Sequence, residues 1–150
     1  MILQKVQDLN VKHRLVAIDW GARRVGVAVS ADDGVFVFAR PAIVMKKYDV
    51  NDLVSKILKL ATDEGAGGIV IGLPLRLDGT DSDTTKMVRA FANFLATKTD
   101  LPIAFVDETL SSAAAQDEMG RVNRDDIKRE LDSNSARVIL ENAIEMIKRG

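Results

Sequence analysis

Apolar positions in the first forty residues run continuously or alternate, without the three-to-four spacing of a helix. Leu15 to Asp19, Val25 to Ser30 and Val35 to Ala39 are three such runs, and the stretches between them leave no room for a helix. Strands joined by such short turns run antiparallel, and Asp33-Gly34 is a hairpin signal between the second and third. Pro41 is expected to end the third strand. The period then changes: Val50, Leu53, Val54, Ile57 and Ala61 follow helical spacing, and Gly65, Gly67 and Gly68 are expected to stop the helix before a short buried strand, Ile69 to Ile71. Gly72-Leu73-Pro74 reads as a turn and leads through a loop to Gly79-Thr80 and a long helix with Met87, Phe91, Phe94 and Leu95 on one face. A fifth strand, Ile103 to Asp107, follows Pro102; Ser111 or Ser112 can cap a helix from Ala113 to Met119; a last helix carries Ala136, Ile139, Leu140, Ala143 and Ile147 on its core face. The order predicts an α/β protein with a mixed five-stranded sheet, three antiparallel strands then two parallel ones, flanked by helices.

Composition narrows the chemistry. At 150 residues with 47% apolar content, one domain with a full core is expected over residues 14–150, and residues 1–13 read as a short extension with too little pattern to assign. There is no cysteine, so a disulfide framework, a thiolate metal site and a cysteine nucleophile are all excluded. No stretch approaches a membrane span, and the first residues lack the pattern of a signal peptide, so a cytoplasmic protein without membrane contact is expected. The net charge of -1 argues against gripping nucleic acid by bulk positive charge. Local asymmetry matters more: Lys12, Arg14, Arg23 and Arg24 surround the first turn, Arg121, Arg124, Lys128 and Arg129 gather late, and Thr99 to Gly120 contains acids but no Lys or Arg.

Three carboxylates stand out. Asp is depleted in strands and costly to bury, yet Asp19 directly follows Leu15-Val16-Ala17-Ile18. It could cap the turn at Gly21, or it could hold a metal ion at a strand tip, with Gly21 and Gly26 letting a phosphate come close. The fifth strand also ends in acid, Asp107-Glu108, and alternation lets only one of that pair face the same way as Asp19. Asp132 lies four residues before Ala136 and seven before Ile139, which places it on the core-facing stripe at the first turn of the last helix, where it could equally be a cap beside Ser133. Two strand ends and one helix bearing carboxylates suit a hard divalent cation and point to phosphoryl transfer. His13 reads as a surface histidine, and Trp20, on the face opposite Asp19, as a packing residue.

The segments IDWGARRVGVAVS, IVIGLPLRLDGT, VDETLSS and LDSNSARVIL resemble, in order and spacing, the YqgF or RuvX family of Holliday-junction-resolvase-like nucleases, over about residues 14 to 148. The resemblance implies a ribonuclease-H-like fold and a metal-dependent nuclease, in bacteria associated with maturing the 5′ end of the small-subunit ribosomal RNA precursor. By position it makes the acidic trio Asp19, Glu108 and Asp132. The chain departs from the family pattern at Thr109, where Arg is common, and at Arg76, where Asn is common.

The expected chemistry is hydrolysis of a phosphodiester with two Mg²⁺ or Mn²⁺ ions, Asp19 bridging both and Glu108 and Asp132 each completing one side. Arg23, Arg24, Arg76, Ser111 and Ser112, with Thr80, are the candidates for holding backbone phosphates. The expected partner is nucleic acid, an RNA precursor being favoured over branched DNA. A junction resolvase would act as a symmetric homodimer, for which the sequence identifies no interface. Two other classes stay open: a non-catalytic module that binds RNA or a transcription partner, and an actin-like nucleotide-binding domain, whose first phosphate loop the Asp-x-Gly hairpin also resembles.

Overall fold

The computed structural model describes residues 1–9, 13–21, 23–31, 36–45, 47, 49–108 and 124–149, the side chains of 124–133 excepted. Its sheet comprises β1 (Arg14–Asp19), β2 (Arg24–Ser30), β3 (Val37–Val44), β4 (Ala66–Leu73) and β5 (Ile103–Asp107), in the spatial order β3-β2-β1-β4-β5. β2 pairs antiparallel with β1 and β3, whereas β4 pairs parallel with β1 and β5. This is the mixed sheet that the periodicity predicts.

Three helices flank it: α1 (Val50–Glu64), α2 (Asp83–Ala96) and α3 (Arg124–Arg149). α1 starts where the Asp49 carboxylate accepts hydrogen bonds from the amides of Asn51 and Asp52, at 3.0 and 3.2 Å, and ends at Gly65, whose φ of 66° is left-handed. α2 starts with a reciprocal capping box between Ser82 and Thr85. The two helices cover one face, where Leu53, Ile57, Val88, Phe91 and Leu95 pack against Val16, Ile18, Val27, Ile69 and Ile71. α3 covers the other, where Ala136, Ile139, Leu140 and Ala143 pack with Val6 and Leu9 against Leu15, Ala17, Val70, Ala104 and Val106. Successive residues of β1 therefore feed alternate cores, which is why the strand reads as one unbroken apolar run.

Both edges of the sheet are modified. Beside β5, the Leu3 amide donates to the Ile103 carbonyl at 2.7 Å and the Ile103 amide to the Met1 carbonyl at 2.9 Å, so the start of the chain extends the ladder. At the other edge, β3 runs through Pro41 rather than ending there. Arg40 pairs with Val27 but Ile43 with Val25, leaving one extra residue on β3, and a bulge on an outer strand tolerates a proline that has no amide to donate.

Three further boundaries differ from the expectation for physical reasons. Gly67 and Gly68 lie inside β4 instead of stopping a helix, because a Cβ on Gly67 would fall 2.6 Å from the His13 Cβ and one on Gly68 3.0 Å from both Leu9 and Leu15. The buried stripe of α2 is Val88, Phe91, Ala92 and Leu95, and Met87 is 49% exposed. α3 begins at Arg124, so Asp132 lies well inside it and does not cap it; the preceding turns, rich in helix-forming Lys128, Arg129, Glu130 and Leu131, carry no apolar periodicity to announce them. The Asp33-Gly34 turn and the expected helix from Ala113 to Met119 lie outside the described residues. Among the described residues, no helix is long and apolar enough to cross a membrane.

Candidate active site at the carboxyl end of the sheet

β1, β4 and β5 are parallel, so their carboxyl ends meet at one edge of the sheet, the edge where such folds place their sites. Asp19 is the last residue of β1, half-buried and paired with Gly26. It follows Leu15 and Ala17 by twos and so faces α3. On β5, Ala104 and Val106 face α3, and Glu108 continues that series. Asp107 belongs to the other series and is exposed. The Glu108 amide donates to the Leu73 carbonyl at 2.9 Å, extending the ladder one residue beyond the strand.

Between these two strands stands Gly72 of β4. Ile18 pairs with Ile71, so Asp19 is level with Gly72, one strand spacing of about 4.8 Å away. From the other side the Glu108 carboxylate leans across β4: its Oε2 lies 2.8 Å from the point a Cβ on Gly72 would occupy. Ile139 of α3 reaches the same point from above. Acids at the ends of the first and fifth strands thus lie on one face, on either side of a residue without a side chain.

Asp132 is on α3, one turn before Ala136 and two before Ile139, and its side chain lies outside the described residues. Among the described residues no group of three or more His, Asp or Glu side chains could hold a metal ion. Asp19 and Glu108 are nonetheless two half-buried hard oxygen donors on either side of a glycine where an added methyl would collide with the Glu108 carboxylate, and this donor set fits Mg²⁺ or Mn²⁺.

Cationic residues surround the same edge. Arg23 is exposed in the β1–β2 turn, where its carbonyl accepts from the Met45 amide at 2.9 Å, and Arg24 opens β2, half-buried. That turn is tight at Gly21, where a Cβ would meet the Arg24 carbonyl oxygen, so this glycine serves turn closure first. Arg76 and Thr80 occupy the exposed loop after β4. The Arg76 amide donates to the Thr80 carbonyl at 3.0 Å and the Gly79 amide to the Arg76 carbonyl at 2.8 Å, with Gly79 at φ 82°. Thr80 donates its hydroxyl to Asp78 at 2.6 Å and its amide to the same oxygen at 3.0 Å. These two bonds favour the charged carboxylate and hold the Asp78 pKa below its ordinary value. The Thr85 hydroxyl, donating to the Pro74 carbonyl, ties the loop to the start of α2. Ser111, Ser112 and Thr109 lie outside the described residues.

Trp20 packs in the α1 and α2 core, on the face opposite Asp19, with its Nε1 buried and lacking a hydrogen-bond partner among the described residues. His13 is exposed. Periodicity missed Gly72 as part of the site by reading it as a turn; a glycine inside an apolar strand pattern is itself the signal of a close approach.

Compared with known proteins, residues 13–146 match the family model RuvX, described as Holliday junction resolvase. A protein of Maridesulfovibrio salexigens, provisionally named a pre-16S rRNA nuclease, is 46% identical over 130 residues, covering 85% of this chain and 95% of its own. One of Orientia tsutsugamushi, provisionally given the same name, is 35% identical over 150 residues, covering 98% and 93%. Among solved structures, RuvC of T. thermophilus in complex with a Holliday junction substrate aligns with a TM-score of 0.55 at 11% identity, covering 91% of this chain and 96% of that one, a likeness of fold.

Proposed function

The chain belongs to the RuvX family, and from that premise we propose that it is a metal-dependent endonuclease that hydrolyses phosphodiester bonds in maturation of the 5′ end of pre-16S ribosomal RNA. The observation that carries the reading is the placement of Asp19 and Glu108 at the ends of strands flanking β4, in the series that faces α3, with Glu108 leaning over Gly72. Two carboxylates on one face of the sheet are a donor set for a hard cation, which a pure binding module does not need.

Asp19, Glu108 and Asp132 would hold divalent cations, two in this reading, with Asp19 serving both. Such ions offset the charge that develops on the phosphate during hydrolysis. The remaining work falls to the chain. Arg23, Arg24 and Arg76, at the margin of the acidic edge, hold backbone phosphates and set the position of the strand without reading its sequence. Ribonuclease-H-like chemistry leaves 5′-phosphate and 3′-hydroxyl ends.

Cleavage of a labelled ribosomal RNA precursor fragment and of a four-way DNA junction, with Mg²⁺ or Mn²⁺, tests the reading in wild type and Asp19→Asn side by side. Metal-dependent cutting of the RNA, reduced more than about 100-fold in the variant, is the expected result; loss of a mere supporting group already costs metal sites 10–100-fold. Cutting of the junction alone would assign the chain to branched DNA, and an unchanged rate in Asp19→Asn would exclude the carboxylate mechanism.

A further inference from the structure

We infer that Gly72 is a positioning residue: the bare backbone of β4 at this point is the seat of the Glu108 carboxylate, and it lets an acid carried by β5 serve beside Asp19. The inference rests on the reading of Asp19 and Glu108 as cation ligands. β4 separates the two acids, and any side chain at position 72 on the α3 face would stand between them. With no side chain there, the Ile139 Cδ1 and the Glu108 Oε2 share the space, the carboxylate oxygen 2.8 Å from the missing Cβ, both closer than real Cβ contacts come. The backbone of Glu108 is held by the hydrogen bond its amide donates to the Leu73 carbonyl, so an added methyl is met by the flexible side chain swinging its carboxylate out of the seat rather than by a shift of the strand. Ile139 closes the seat on its open side, its Cγ1 3.1 Å from the same point.

A glycine inside a buried strand is otherwise a liability, since it loses more chain entropy than Ala and packs no side chain. Packing of Ile139 alone could explain it, and the two explanations separate experimentally. Gly72→Ala collides with both neighbours, so it is made together with Ile139→Val, which removes the nearer methyl of the isoleucine and leaves Glu108 as the displaced partner. Ile139→Val alone is the matched control, and Glu108→Asp, which draws the carboxylate back by one methylene with Gly72 intact, leaves the core untouched.

Mn²⁺ binding by calorimetry, thermal unfolding and RNA cleavage are measured on each. G72A/I139V is expected to unfold near the temperature of I139V yet to bind Mn²⁺ at least about tenfold more weakly, the scale set by losing a ligand's support. E108D is expected to show the same weakening, and E108Q to lose both binding and cleavage. Unchanged Mn²⁺ affinity in G72A/I139V or in E108D, with E108Q inactive, overturns the role of Gly72 and leaves the nuclease reading standing. Full affinity and cleavage in E108Q overturn the inference by removing the reading beneath it.

Discussion

Arg89 on α2 holds Asp81 with two parallel hydrogen bonds, Nε to Oδ2 at 2.9 Å and Nη2 to Oδ1 at 3.2 Å. Asp81 also bridges back to Leu75, and the Arg89 guanidinium lies 5.8 Å from the centre of the Phe105 ring on β5. The pair therefore closes the loop that displays Arg76 and ties it to both a helix and the sheet. Lysine cannot reproduce the fork. Because the two side chains are 43% and 34% exposed, Arg89→Lys is expected to cost at most about 1 kcal/mol of stability. RNA affinity is expected to fall further than that, as the loop loses its fixed geometry. Thermal unfolding and filter binding on the same preparation check this; RNA binding equal to wild type would mean that the loop's shape does not matter to the substrate.

The turn at the tip of this loop has its own pH dependence. Asp78 is fully exposed, and the Thr80 hydroxyl and amide hold its pKa below the ordinary 3.8. A carboxylate lowered in the native state supports that state above its unfolded value and loses the support as pH falls through the native value. The turn is thus expected to persist unchanged from neutral pH down to the ordinary carboxylate range and to loosen only below it. Carboxyl chemical shifts followed through an acid titration should place Asp78 under 3.8, and Asp78→Asn should expose the Thr80 amide to faster exchange at neutral pH. A titration at or above 3.8 would contradict the bonds described.

Trp20 provides a direct reporter. It is the single tryptophan, it follows Asp19, and it is 8% exposed within the α1 and α2 core. Mn²⁺ bound at Asp19 is expected to change Trp20 emission in a saturable way, and Asp19→Asn to remove the response. Equal titration curves for the two proteins would place the ion elsewhere.

Much of this arrangement is legible in the sequence, because each strand and helix carries its own period. Alternation allows only one of Asp107 and Glu108 to face the way Asp19 does, the resemblance names Glu108, and the packing of Ala17 and Val106 in one core puts Glu108 in the same series as Asp19. What periodicity does not contain is the position of one element relative to another. Gly67, Gly68 and Gly72 look like punctuation until His13, Leu15 and Glu108 are seen to occupy the space their side chains would take. Pro41 reads as a stop because a lone strand cannot show that its outer edge is unpaired or that a bulge absorbs the missing donor. The early turns of α3 escape notice because their polar residues bring no apolar stripe, so spacing alone puts Asp132 at a helix end.

The element that covers the acid-bearing face of the sheet is also the last in chain order. Leu15, Ala17, Val70, Ala104 and Val106 are all synthesised before Ile139 and Leu140, the residues that shield them. A polypeptide growing from its amino end thus presents Asp19 and Glu108 on a half-finished layer, and Asp132 arrives only with the helix that completes the layer. The layer over these strands stays open until that helix docks, so the second core closes in a single late step.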